Sequence, residues 1–256
     1  RAQSYTQITR EANLNLQSDQ ELISKNWPDK GEVVFHNVHM KYRENMDHVL
    51  KGLSFSVSAG EKIGCVGRTG AGKSSIIQAL FRMVEIDKQH APESFIKIDG
   101  VDTLQLGLHM IRKNISIIPQ TPFIFVGSIK RNLDPLKEYS DEKIIEALVE
   151  TGLWDYIKEL PNGLETDMSN ASSVFSVGQK QLICLARTIL QNNKILILDE
   201  ATANIDFETD NFIQKKIMER FKNSTIFTIA HRLSTVANYD RVLVMDKGKV
   251  VEIDHP

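Results

Sequence analysis

Eight residues, Gly67-Arg68-Thr69-Gly70-Ala71-Gly72-Lys73-Ser74, constrain this chain more than any other stretch. They fit G-x-x-x-x-G-K-[ST], and a chance match somewhere in a chain this long arises about once in a hundred. The flanks match too. Lys62-Ile63-Gly64-Cys65-Val66 reads as a short buried strand, and Ile76, Ile77, Leu80, Phe81 and Val84 repeat with helical spacing. A strand that ends in a glycine turn and opens a helix aims backbone N–H groups and the positive helix end at one point. Polyphosphate suits that geometry. The plainer reading is a glycine turn that merely caps a helix. Arg68 taken alone reads as a solvated loop charge.

The remaining pattern alternates strands and helices. Apolar residues alternate through Val33, Phe35, Val38 and Met40, and further strands are expected at Leu53–Val57, Phe95–Gly100 and Ile115–Gln120. Lys194–Glu200 is an apolar strand with two carboxylates at its end, and Thr225–Ala230 is a buried strand ending at His231. Arg241–Met245 and Lys249–Ile253 flank Asp246-Lys247-Gly248 as a hairpin. Ser140 is a candidate cap for a helix carrying Ile144, Ile145, Leu148 and Val149, and a second helix starts near Ser176. Strands that are apolar throughout indicate a mostly parallel sheet covered on both faces, hence an α/β fold. Ligands of such sheets bind at the carboxyl ends of the strands. The glycine loop, Gln120, Asp199-Glu200 and His231 all follow strand ends, so one sheet edge can gather them.

Composition excludes several classes. A net charge of −2 leaves no overall basic field for nucleic acid. No apolar run is long enough to span a membrane, so the piece itself is expected to be soluble. Cys65 and Cys184 lie in apolar runs and read as core residues of a reducing compartment. Residues 1–30 are polar and read as a linker ending at Trp27-Pro28-Asp29-Lys30-Gly31. The start, Arg1-Ala2-Gln3-Ser4, lacks an initiator Met and suggests a piece of a longer protein.

The chemistry follows from residue types. Lys73 would place a charge on the β/γ-phosphates, and the Ser74 hydroxyl would ligate Mg²⁺. Asp199 would hold Mg²⁺ through water, and Glu200 would polarise the attacking water as a general base. An Asp-Glu pair after a strand is otherwise a helix-starting turn. Gln120 could complete the metal shell or hold the water, and His231 could sense phosphate. Each is on its own an ordinary turn or structural residue. Ser176-Val177-Gly178-Gln179 is a capped helix start with a glycine beside it, which can also accept a phosphate.

In order, these motifs resemble the ATP-binding cassette family. Residues 67–74 look like its Walker A, 195–200 like its Walker B with the catalytic Glu, and Ser176–Gln179 like its signature. Gln120 looks like its Q-loop, Ala203-Asn204-Ile205-Asp206 like its D-loop and His231 like its switch histidine. GRTGAGKSS, SIIPQTPFIFVGSIKRNLDP and LDEATANID look like a second nucleotide-binding domain of a C-subfamily, multidrug-resistance-associated type exporter. The resemblance implies a P-loop NTPase (RecA-like) core over residues 31–256, with an antiparallel β subdomain and an inserted helical subdomain at about 121–175. It implies ATP and Mg²⁺ as ligands. Nucleotide contacts would come from Tyr42 (stacked on adenine, unless it simply packs on a neighbour), Gly67, Arg68, Thr69, Gly70, Ala71, Gly72, Lys73, Ser74 and Ser75. Ser176, Gly178 and Gln179 would contact nucleotide across a sandwich dimer. Catalysis would rest on Glu200, His231 and Gln120, and metal binding on Ser74, Gln120 and Asp199. A second nucleotide-binding domain and transmembrane domains are the implied partners, with residues 1–30 leading from a membrane domain and this domain on the cytoplasmic face of a membrane.

Two departures stand out. The family's acidic, glycine-containing stretch before the signature reads here Met168-Ser169-Asn170-Ala171-Ser172-Ser173-Val174-Phe175. This alters the expected contact with the opposite coupling helix, though in asymmetric transporters the second-domain signature faces the weaker site. The chain also stops at Pro256, where the family has another helix. The competing classes are a soluble cassette ATPase of DNA repair or translation, which calls for a coiled-coil insertion or basic face, and a regulatory ATP-binding module, which would do without Glu200.

Overall fold

The computed structural model describes residues 10–169, 175–200, 205–230 and 232–256. Two sheets organise them. The first is antiparallel, in the order β2-β1-β4-β5, built from β1 (Val33–Met40), β2 (Leu50–Val57), β4 (Phe95–Ile98) and β5 (Val101–Asp102). The second has the order β10-β9-β3-β8-β7-β6. Its members are β3 (Lys62–Gly67), β6 (Ile115–Ile118), β7 (Ile195–Asp199), β8 (Thr225–Ile229), β9 (Arg241–Asp246) and β10 (Lys249–Asp254). β6, β7, β8, β3 and β9 run parallel, and only β10 turns back, through the expected hairpin. Lys247 and Gly248, at φ 47° and 82°, make its two-residue turn. That is the doubly left-handed backbone that matches strand twist.

The larger sheet is covered on both faces, and β7 displays why its sequence is apolar throughout. Ile195 and Ile197 pack into one core with the antiparallel sheet and helix α2 (Lys73–Leu80). Leu196 and Leu198, one residue out of phase, pack into a second core with the helices on the opposite side. Phe55 stacks on Phe35 at 4.6 Å and lies 6.1 Å from Phe227, which carries the first core from sheet to sheet. Cys65 and Cys184 are both free and buried, as their apolar surroundings predict. Burial pushes the Cys65 thiol up to about 12, so it stays protonated.

The second core is built by helices between β6 and β7. They are α4 (Ile129–Leu133), α5 (Asp141–Glu150), α6 (Trp154–Lys158) and α7 (Val177–Gln191), joined by α8 (Phe207–Arg220). Two earlier helices, α1 (Asp19–Ser24) and α3 (Leu108–Asn114), complete the order up to this point, and α9 (Leu233–Val236) follows β8. Ile144 and Leu148 of α5 are buried as the periodicity predicts, but Val149 is exposed and lies off the buried face. Ser140 occupies the N-cap position without a side-chain cap bond. Val177 likewise faces solvent at the first turn of α7, where the cap leaves it outside the packed stripe.

Sequence alternation in β1 skips a beat between Phe35 and Val38. The structure explains it by a register shift there, with Asn37 in the left-handed region at φ 45°. The bulge keeps Val33, Phe35, Val38 and Met40 all buried and turns His39 outward between the last two. Residues 10–30, polar in sequence, lie against the body. Trp27 is buried with its indole N–H donating to Ile98 O at 3.1 Å, and the Asp19 carboxylate accepts from Leu16 N and Gly107 N. Among the described residues no helix is long and apolar enough to cross a membrane.

Candidate active site

The glycine loop leaves β3, a strand flanked on both sides by parallel neighbours, and opens directly into α2. Its conformation needs glycine at defined points. A Cβ at Gly67 would lie 2.3 Å from Met245 O, a backbone atom of the adjoining strand. Gly72 takes φ 102° at the N-cap of α2, with Leu50 and Val49 beside it. Gly67→Ala is therefore expected to lose about 1–3 kcal/mol, because the obstructing atom belongs to a paired strand and cannot swing away. Urea unfolding measures this; an unchanged midpoint would show that the loop can shift freely.

Lys73 is buried and its ammonium curls back over the loop, donating to Gly67 O at 2.7 Å and Arg68 O at 3.2 Å. The loop's own carbonyls thus hold the ammonium in place over the loop. Ser74 is exposed in the first turn of α2, while Ser75 is buried with its Oγ 3.0 Å from the Tyr42 hydroxyl. Tyr42 is half exposed at the edge of the same loop. Arg68, Thr69 and Gly70 are exposed and Ala71 is buried.

Across the sheet the parallel register does the gathering. Cys65 of β3 and Asp199 of β7 both pair with Ile229 of β8, and Leu198 pairs with Ile118 of β6. All four strands end at one edge, so the glycine loop, Asp199-Glu200 and Gln120 are neighbours there. Gln120 Nε2 donates to Glu200 Oε2 at 2.8 Å, joining two residues eighty positions apart. Glu200 holds φ 47°, a left-handed conformation uncommon for a residue other than glycine. Its N–H donates to Ile229 O at 3.1 Å, which fixes the turn at the strand end. His231 lies outside the described residues, as do Ala203 and Asn204 of the D-loop motif.

Ser176, Gly178 and Gln179 stand elsewhere. Ser176 Oγ accepts from Gln179 N at 3.1 Å and Gln179 Oε1 accepts from Ser176 N at 2.9 Å, a reciprocal capping box at the start of α7. Gly178 lets α8 approach, since a Cβ there would meet Thr209 at 3.2 Å. Among the described residues no hydrogen bond or ion pair joins 176–179 to the loop 67–75.

Three supporting residues escaped sequence reading because nothing local marks them. Gln181, buried in α7, donates to Pro119 O at 2.9 Å and props the turn that presents Gln120. Arg187, from the same helix, donates to Asn132 O at 2.6 Å, Asn132 Oδ1 at 2.9 Å and Phe123 O at 2.6 Å. Burial pulls its guanidinium below the usual range. Arg232 pairs with Asp210 of α8 at 3.3 Å.

A nucleotide-loop strand end, a carboxylate strand end and a glutamine strand end on one parallel sheet now stand together. Residues 50–203, more than half of the chain, match the ABC transporter family. This chain belongs to that family. It is 49% identical to human ATP-binding cassette sub-family C member 4 over 90% of this chain and 17% of that protein. It is 47% identical to the Caenorhabditis elegans multidrug resistance protein mrp-7 over 100% of this chain and 16% of that protein. The chain thus spans less than a fifth of the length of these curated relatives. Among solved structures, a bacterial Atm1-family ABC exporter with ATP bound superposes with a TM-score of 0.80 at 33% identity, covering 89% of this chain and 39% of that one. The fold is accordingly the cassette's P-loop α/β core.

Proposed function

We propose that this chain is the ATP-hydrolysing motor domain of a membrane exporter, using ATP binding and hydrolysis to drive alternating access. The observation that carries the reading is the Gln120–Glu200 hydrogen bond at the sheet edge that also presents the 67–74 loop. The residues suit a magnesium nucleotide: a buried ammonium over the loop, backbone N–H groups at a helix start, an exposed serine at Ser74 and a carboxylate at the end of β7. Ser74 and Asp199, with Gln120, would hold Mg²⁺, which when bound neutralises charge on the β/γ-phosphates. Lys73 would leave its loop carbonyls for phosphate oxygens, Tyr42 would lie against adenine, and Gly67 to Ser75 would cradle the phosphates. Glu200 would take the proton of the attacking water, held in line by Gln120, with His231 closing on the phosphate. Ser176, Gly178 and Gln179 would serve the nucleotide of a partner cassette, which is consistent with their distance in bonding from the loop 67–75.

The membrane partner would seat on an exposed aromatic patch. Phe123, Phe125 and Val126 are exposed between β6 and α4, with the two rings edge-on at 4.9 Å. Exposed aromatics held on a braced segment are what a docking surface needs. In the complete transporter in sealed vesicles, transport and hydrolysis should both require Mg²⁺. Phe125→Asp should cut transport at least tenfold while ATP binding is retained. Full transport by that variant would overturn the docking role, and transport without ATP consumption would overturn the motor reading.

A further inference from the structure

Three histidines gather on the antiparallel subdomain, away from the glycine loop. His39 faces outward from β1 just past the bulge, His48 comes from the 41–49 connection, and His90 from the loop before β4. Each offers a ring nitrogen, and these atoms all lie within 4.8 Å of one another. The rings are 4.5–5.4 Å apart by centroid. We propose that His39, His48 and His90 form a binding site for a divalent transition-metal ion of the zinc type.

Supporting contacts are those a metal-binding imidazole needs. His48 Nε2 lies 2.9 Å from Asp87 Oδ2, and His39 Nε2 lies 3.2 Å from Asn37 Oδ1. Such outer partners fix the tautomer and orient the other ring nitrogen. Asp87 is itself held, by Lys41 at 3.0 Å and by the His90 N–H at 3.1 Å, and its own N–H donates to His39 O at 2.7 Å. One residue, Asp87, therefore ties the three histidine-bearing segments together, through its carboxylate to His48 and His90 and through its backbone N–H to His39. Burial, with the two neighbouring imidazoles, lowers the His39 pKa and favours the neutral form that coordinates. A tetrahedral ion with bonds of about 2.0–2.1 Å spaces its nitrogens by about 3.3 Å. The rings need to close by roughly 1.5 Å at most, and His90 is exposed enough to swing in. Asp47, Lys51 and Lys249 line the same cleft, and water would complete the fourth position of a tetrahedral shell. Imidazole ligands select zinc, copper, nickel or cobalt over magnesium and calcium.

The ion would pin the 41–49 connection to β1, and that connection also carries Tyr42. The test uses the 256-residue chain without nucleotide, titrated with Zn²⁺ by calorimetry and with Co²⁺ by visible absorption. Saturation at one ion per chain, a tetrahedral cobalt spectrum and a melting temperature raised by Zn²⁺ are expected. His48→Ala and His90→Ala should each weaken binding at least about tenfold and abolish the zinc-dependent rise in melting temperature. His90→Ala removes an exposed side chain and should keep the apo melting temperature, whereas His48→Ala also loses the bond to Asp87, so its response to zinc is read against its own apo melting temperature. His36→Ala, on the same strand but stacked on Phe95, should bind as the parent does. Equal binding by the parent and by the His48→Ala/His90→Ala double variant would overturn the site, as would loss of binding with His36→Ala alone.

Discussion

Glu200→Gln is expected to slow steady-state ATP hydrolysis at least a hundredfold while leaving ATP bound. The geometry isolates the chemical change. Gln keeps the side-chain length and tolerates the φ of 47° as well as Glu does. Its amide oxygen can still accept from Gln120 Nε2, which now lies at 2.8 Å from the carboxylate. What disappears is the basic oxygen. A positioned base contributes about 10²–10⁴ in rate, or roughly 2.7–5.5 kcal/mol of barrier. Turnover should be followed by phosphate release in the complete transporter, with nucleotide retention measured in parallel. Near-normal turnover would remove Glu200 from the role of base. Loss of nucleotide binding with turnover would instead mark it as a structural residue of the strand end.

Arg187→Met is expected to lower stability by about 3 kcal/mol, a fall in melting temperature of about 6–12 °C for a domain of this size. Arg187 ties α7 to the segment 123–132 through three donated bonds to Asn132 and Phe123. Charge-assisted bonds contribute about 1.5–3 kcal/mol each, and they do not add fully. Met fills the stem but takes the donor from Asn132 O and Phe123 O, while Asn132 Oδ1 keeps its bond from Phe125 N and removal of a buried charge gives part of the loss back. Arg187→Lys should recover less than half of the loss, since a single ammonium cannot reproduce the planar fork. Thermal melting of the three variants decides it. A Met variant within 1 kcal/mol of the parent would show that the relieved desolvation offsets the lost bonds.

The same strut has a functional consequence. It joins the helix that starts at Ser176 to the exposed Phe123–Val126 stretch, with the guanidinium 5.2 Å from the Phe125 ring. Under the motor reading, displacement at the membrane face would reach the signature helix through one rigid contact. Phe175, in the departing stretch before the signature, is buried and edge-on to Tyr156 at 5.5 Å. That position has become part of the helical core, whatever its effect on the opposite coupling helix.

Much of this was written locally. The glycine loop could be read because phosphate cradling demands fixed residue types at fixed spacing over eight positions. The strands 62–67, 195–199 and 225–229 could be read because double-sided burial leaves each a nearly continuous apolar run, the charged residues, Lys62 and Asp199, being confined to the ends. The Ser176 cap could be read because its box closes within four residues. The His39-His48-His90 cluster could not, since its members lie on three segments and each looks like an isolated surface histidine. Gln181 and Arg187 were silent for a related reason: their partners are distant in sequence and mostly backbone carbonyls, which leave no mark in sequence.

By itself, then, the sequence determined the cassette family, the α/β class and the chemical kind of each strand end. Periodicity and short-range motifs are properties of neighbours along the chain. Only the tertiary structure decided that β6, β7, β8 and β3 run side by side and end together, that Gln120 touches Glu200, and that Asp87 bonds all three histidine-bearing segments, by its carboxylate and its backbone N–H. Those facts depend on register between distant strands and on bulges such as that at Asn37, where a single extra residue sets which side chains face the core and which face the cleft.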